Sequence, residues 1–538
     1  MSRVIQPLSS KLFLLVVFLH VLPIWLFGYF ATQDGPSHLH NSRVMLDYLG
    51  RGSPIFQQYY EVRPNLGGNV LSQVALIALN SVTPAWFSDK VFLTIYVIVM
   101  SSGFWYAIGS VRPEARPLSF LVFPFVYSAW IHLGLYNFCS GIAVFLFLIG
   151  YFIRHQGERG VRHIAMLTLL FLLIYATHIT AFCAAALVVA ALTIVATFQD
   201  WSTRGESDSR FLLKSVKLHL MPLIAILPGA FLALSFVGHN SGARLNFDGV
   251  WMSAWRIYSV APIASVSDAE FLFGKAVALL VACVGICAVY SKRRDLRLRL
   301  QDGLLLAAGV FLLLSFLGPD TIGTDGVYIR MRVVTYFYLV LILWIAAQQI
   351  PSYIQKTVAS AAVIISILLF VSRVSAYVEL DRQIREYMSA GPYIQPGSTL
   401  LPLSYASYGY HPTGRRLVKA YLPFEHIGGL LAADKPVVDL SNYEADTYSF
   451  WTSYRPPLNP FHFIDKEKRS DRRASEADLL GFPPNSGGKV DYVLIWGLDS
   501  NEWRSAPPSR LRQQLQEAYD LIYVSPDRQL VQLYRLKS

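Results

Sequence analysis

About eleven stretches of the chain are apolar and long enough, some only as short or tilted segments, to cross a bilayer: residues 12–31, 86–111, 117–131, 136–153, 164–176, 180–198, 214–237, 271–291, 303–318, 333–350 and 357–373. Hydrocarbon offers no partner to a backbone N–H or C=O, so each run is expected to be a helix. The expected fold is therefore an α-helical polytopic membrane protein. Composition agrees: 54% of the residues are hydrophobic and only 15% charged, where a soluble domain carries roughly 25% charged residues. A further run, Gly68 to Val82, is interrupted by Gln73 and Asn80 and followed by Thr83-Pro84. Counting it as a span would carry the basic loop Arg154 to Arg162 outside, so it reads as an interfacial or re-entrant helix.

Lys and Arg cluster in the loops 112–116, 154–162, 204–217 and 292–299, which the positive-inside rule assigns to the cytoplasm together with the N terminus. That side then holds about seventeen Lys and Arg against about nine opposite, the asymmetry the rule requires. An odd number of spans carries the C-terminal part outside. Tyr29-Phe30-Ala31 lacks a small-x-small cleavage pattern, so the first run is expected to remain as a signal anchor. The net charge of +11 sits in loops between spans, where it sets topology and meets lipid headgroups; nucleic acid is not an expected partner. Cys139, Cys183, Cys283 and Cys287 fall in or beside apolar runs and form no metal-type CxxC pair.

These signals divide the chain into a transmembrane domain, residues 1–373 with a first outer loop at 32–85, and a small extracytoplasmic α/β domain, residues 374–538. In the second part Thr399 to Leu403, Pro436 to Leu440, Tyr492 to Trp496, Leu521 to Val524 and Leu530 to Leu536 read as strands, and Ser509 to Tyr519 as a helix. The basic segment 465–485 reads as a solvated loop. No internal repeat is evident, which gives an inverted-repeat transporter no footing.

Directly after the first run stands Gln33-Asp34-Gly35-Pro36-Ser37-His38-Leu39-His40-Asn41, an acid at a membrane surface. Pro36 suits the first position of a helix, with Gly35 or Asp34 as its cap, and predicts a short interfacial helix through about Leu49. His38 falls four residues after Asp34, on the same face if the turn is tight. The plain reading is a helix cap and a wetted histidine; the sharper one is a site. Ionisable residues beside spans favour the sharper one, because they are costly without partners. His132 and Asn137 lie at the outer turn between the third and fourth spans, His178 at the next, and Asp320, Asp325, Tyr328, Arg330 and Arg332 before the tenth. Two guanidinium groups at headgroup level suit a phosphate or diphosphate, against the alternative of snorkelling to ordinary lipid. The outer loop Val237 to Glu270, with Trp251 and Trp255, reads as an interfacial aromatic belt or a sugar-stacking surface.

This layout resembles the GT-C class of integral-membrane glycosyltransferases: one acid after the first span in a long outer loop, about ten further spans, an outer arginine beside a late span, and a C-terminal extracytoplasmic domain. The resemblance covers the whole chain, and its local motif departs from the class, where an acidic pair or Asp-x-Asp/Glu signature is usual; here Asp34 is followed by His38. A lone carboxylate and a histidine make a thin divalent-metal site, so no cofactor is assigned. The resemblance implies transfer of a sugar from a polyprenyl-phosphate carrier to a lipid, glycan or protein acceptor. Asp34 would be the catalytic base, Arg330 and Arg332 would hold the leaving phosphate, and His38, His132, Asn137 and His178 would contact substrate. The competing readings are a transporter or flippase of a lipid-linked or anionic substrate, and a non-catalytic subunit of an envelope polysaccharide system.

Overall fold

The computed structural model describes residues 2–50, 52–65, 67–158, 160–204, 222–239, 245–323, 326–447, 449–464, 477–498 and 509–537. Asp325, residues 214–221 of the seventh apolar run, much of the 204–217 loop and most of the basic stretch within 465–485 lie outside that set.

Among the described residues six helices are long and apolar enough to cross a membrane: Ala85–Val111, Tyr136–Arg154, Ile179–Trp201, Glu270–Arg294, Ile329–Ala347 and Ser352–Tyr393. Shorter apolar helices cover Ser10–Leu26, Leu71–Asn80, Val161–Thr177, Pro222–Phe236 and Asp302–Leu317. Together they mark a multi-pass membrane protein. Helix Leu71–Asn80 has 10 residues, about 15 Å, half the hydrocarbon thickness. It packs against its neighbours Gly35–Gly50 and Ala85–Val111.

The run at 117–131 departs from expectation. In place of one continuous span it forms a 3-10 helix over Pro113–Val122 and two single turns, Phe123–Val126 and Ala129–His132. Pro117 and Pro124 each remove a backbone donor, which breaks the regular ladder. Residues 118–134 are buried without exception, and irregular backbone at membrane depth is tolerated only inside protein.

Among the described residues nine strands follow in chain order: β1 Tyr60–Val62, β2 Leu245–Asn246, β3 Thr321–Ile322, β4 Ser398–Ser404, β5 Val437–Asp439, β6 Thr452–Tyr454, β7 Tyr492–Trp496, β8 Tyr519–Val524 and β9 Val531–Leu536. The five strands read from the sequence after residue 374 form one sheet in the order β5-β4-β7-β9-β8, with β4 parallel to both β5 and β7 and the other pairs antiparallel. Helix Arg510–Ala518 lies where expected, capped by Ser509 Oγ, which accepts from Arg512 N at 3.3 Å.

The membrane bundle and the part of the chain that carries this sheet are joined in three ways. Helix Ser352–Met388 runs 37 residues, about 55 Å, straight through the change of composition at Arg373. Its far end carries Glu386, whose Oε1 accepts from Ser525 Oγ at 2.6 Å and from Arg528 N at 3.1 Å. The first loop contributes β1, which pairs antiparallel with β6, Tyr60 opposite Tyr454. Helix Gly428–Ala433 lies on helix Gly35–Gly50; a Cβ on Gly429 would stand 2.5 Å from Pro36 O, so only glycine permits that approach.

Candidate active site

The helix predicted to start near Pro36 spans Gly35–Gly50, and its His38 N–H donates to Asp34 O at 3.1 Å. It is not a surface helix: 11 of its 16 residues, including polar Ser37, His38, His40 and Asn41, are buried. Its start is pinned by the turn after the broken helix. Gln33 N donates to His132 O at 2.9 Å and Asp34 N to Leu133 O at 3.2 Å. Gly134 makes this possible, with φ at 76° and so little room that a Cβ would lie 2.6 Å from Asp34 N.

The second half of the site comes from the carboxyl ends of two parallel strands, the usual ligand edge of such sheets. The loop after β4 carries His426, and the turn after β5 carries Tyr443 and Glu444. His38 Nδ1 stands 2.7 Å from Glu444 Oε1, and its Nε2 lies 3.0 Å from Gly134 O. Both ring nitrogens thus face acceptors, which fits the doubly protonated imidazolium. Burial disfavours that charge, but Glu444 and then Asp34 outweigh it, lifting His38 to about 9. Asn41 donates to the other oxygen of Glu444, and Asn442 Nδ2 to Asn41 Oδ1 at 2.8 Å.

Asp34 is 7% exposed. Its Oδ1 accepts from Gln33 Nε2 at 3.2 Å and lies 3.8 Å from His426 Nε2. Tyr443, on which His426 stacks with ring centroids 4.4 Å apart, favours the ionised carboxylate. Burial pushes Asp34 up to about 7, against the opposing pull of the His38 charge. A carboxylate so placed can hold or release a proton near neutrality.

Arg332 and Arg330, two residues apart on one helix, meet different fates. Arg330 is 2% exposed; its guanidinium donates to Gly318 O and, at 2.7 and 3.1 Å, to Asp248 O and Ser253 Oγ. Those are the anchors of the loop before the helix. Beside them Arg256 bridges Asp248 and Asp320 at 2.6 and 2.8 Å. Arg332 instead lies over Phe138 at 4.9 Å and Trp130 at 6.0 Å, reaches His178 Nε2 at 2.8 Å, and has a buried Nε with no acceptor. His178 Nδ1 accepts from Thr180 N at 3.1 Å and lies 2.8 Å from Thr180 Oγ1, so both ring nitrogens face donors, which disfavours the imidazolium. Tyr328 feels the charge of both Asp34 and Arg332. Its phenol is pushed up by burial and then by Asp34, and is pulled down by Arg332.

Two further sequence candidates, His132 and Asn137, are buried and hydrogen-bonded to neighbouring elements. His132 is fully buried, with Nε2 2.7 Å from Tyr377 OH and Nδ1 2.9 Å from Ser128 O. Asn137 holds the start of helix Leu71–Asn80, accepting from Ser72 N at 2.9 Å and donating to Asn69 O at 2.8 Å. Trp251 is 88% exposed at the loop surface.

Glu444, Tyr443, His426 and Asp89 are the site residues that the sequence reading missed. Asp89, an acid inside an apolar run, carried a visible signal; it accepts from Tyr136 OH at 2.6 Å, and that hydroxyl also meets Thr32 Oγ1 at 3.2 Å. Glu444 carried none. Among the described residues no group of three or more His, Cys, Asp or Glu side chains could hold a metal ion. Neither a family model nor a curated protein matches the chain.

Proposed function

We propose that the protein is a GT-C-like membrane glycosyltransferase, moving a sugar from a polyprenyl-phosphate carrier to a lipid, glycan or protein acceptor. On this reading Asp34 and the sheet domain lie on the outer face, with the N terminus in the cytoplasm. The observation that carries the proposal is Asp34 itself: a buried carboxylate at about 7, directly after the first membrane helix, at the seam between bundle and sheet. A base is most effective when its pKa lies near the working pH.

Asp34 takes the proton from the acceptor hydroxyl as that oxygen bonds to the anomeric carbon. The bond from that carbon to the carrier phosphate breaks, and the electron pair leaves with the phosphate. Arg332, with an unspent N–H and apolar walls of Phe138 and Trp130, stabilises that leaving group better than Arg330, whose Nε and Nη1 are committed to Gly318, Asp248 and Ser253. The positive charge of His38 opposes the rise of Asp34, while the Glu444 carboxylate adds to it. Incubating the purified protein with polyprenyl-phosphate sugars and lipid or glycan acceptors tests the proposal. Sugar-dependent release of polyprenyl phosphate is expected, and its absence across hexosyl and pentosyl donors would refute it.

A further inference from the structure

At the end of the bundle opposite Asp34, a cavity of about 570 Å³ opens between the end of helix Glu270–Arg294 and the start of helix Ser352–Met388. One wall is apolar, with Ile286, Cys287 and Ile354; the rim is basic. The two helices are also the least covered spans of the bundle, with 28% and 33% of their apolar windows buried. The groove therefore opens beside apolar helix faces that the rest of the protein leaves uncovered.

The rim is a folded loop. Lys292 Nζ donates to Asp302 Oδ2 at 2.6 Å and to Arg297 O at 2.7 Å, Arg299 N donates to the same Asp302 oxygen at 2.8 Å, and Arg299 Nη2 pairs with Asp295 at 2.5 Å. Those pairs neutralise Lys292 and Arg299 and fix the loop. Arg294 has no carboxylate partner among the described residues; its guanidinium lies 4.5 Å from the Tyr290 ring centroid and bonds the Tyr290 hydroxyl. Arg293 beside it is exposed. From Lys292 to Asp302 five basic residues face two acids, so the rim keeps a positive surplus at the depth where the apolar part of the helix ends.

We infer that this groove is a binding site for an anionic phospholipid, with the headgroup phosphate on Arg294 at its rim, Arg293 adding positive charge beside it, and an acyl chain along Ile286 and Ile354. Charge complementarity selects the headgroup, and the uncovered helix faces select a lipid over a soluble anion. The site is remote from Asp34 and independent of the chemistry proposed there. The full-length protein in micelles doped with phosphatidylglycerol or phosphatidylcholine, examined by native mass spectrometry, provides the test. Phosphatidylglycerol is expected to be retained in preference. The double variant Arg293→Ala/Arg294→Ala should bind it about tenfold more weakly, while Arg162→Ala, in another basic loop, should match wild type. Equal retention of the two lipids, or wild-type retention by the double variant, overturns the inference. So does displacement of the lipid by millimolar glycerol phosphate, because the apolar groove would then contribute nothing.

Discussion

His38 Nδ1 lies 2.7 Å from Glu444 Oε1, with both side chains almost wholly buried, and this contact ties the segment after the apolar helix Ser10–Leu26 to the turn after β5. Removing one member of such a pair leaves an uncompensated polar group in low dielectric. Because His38 is held at about 9 against an ordinary 6.5, the stability it gains is fully present below about pH 6.5 and fades as pH rises through 9.

Glu444→Gln should therefore lower thermal stability at pH 6 by an amount on the order of 3 kcal/mol. The loss should shrink as the pH is raised from 6.5 past 9, where the wild type has itself given up the charge. Melting temperatures of both proteins across that window check it. A difference that stays constant with pH would mean that His38 is neutral in the fold.

Arg332→Ala should weaken binding of a polyprenyl phosphate about tenfold relative to the uncharged polyprenol, the scale of one charged hydrogen bond. Arg330→Ala should reduce stability, through the loop held at Gly318, Asp248 and Ser253, and should leave the ratio of the two affinities unchanged. Titrating both ligands into each variant separates these roles. Indistinguishable ratios for the two variants would show that neither guanidinium reads the phosphate.

Much of this was legible along the chain. Apolar runs, the helix beginning at Pro36 and the five strands after residue 374 are set by local pattern: hydrocarbon length, a proline at the first helical turn, alternation between turn residues. The run at 117–131 misled because hydropathy sees burial and is blind to whether the surroundings are lipid or protein. Arg330 and Arg332 are alike in sequence and differ only in the loop that closes over one of them. Glu444, Tyr443 and His426 reach Asp34 by tertiary contact alone, between segments that no local pattern connects.

Gly134 offers a test of how tightly the base is positioned. With φ at 76° and Asp34 N only 2.6 Å from where a Cβ would stand, Gly134→Ala should cost roughly 2–4 kcal/mol through backbone strain and overpacking. Sugar transfer should fall further than the folded fraction accounts for. Gly157→Ala, at a position with nothing within 4 Å, is the control and should behave as wild type. Turnover per folded molecule that is unchanged in Gly134→Ala would argue that the turn 132–136 does not set the base.

Asp34→Asn separates a catalytic carboxylate from a structural one by moving two quantities in opposite directions. Asn keeps the shape and can still accept from Tyr443 and Gln33, but it can neither take a proton nor carry charge. General-base catalysis is worth roughly 10²-fold or more, so turnover should fall by at least that much while carrier binding persists. Stability should move the other way. The Asp34 carboxyl is raised from 3.8 to about 7, so the folded state favours its protonated form. That preference stabilises the fold fully below about pH 3.8 and is lost as pH rises through 7, where the ionised group becomes a burden that Asn lacks. The variant should accordingly melt at the same temperature as wild type or higher above pH 7. In the wild type, turnover should climb with pH through about 7 as Asp34 loses its proton, and that limb should vanish from whatever activity remains in Asp34→Asn. Near-normal transfer by a destabilised variant would make Asp34 a structural anchor and move the search for the base to Asp89 or Glu444.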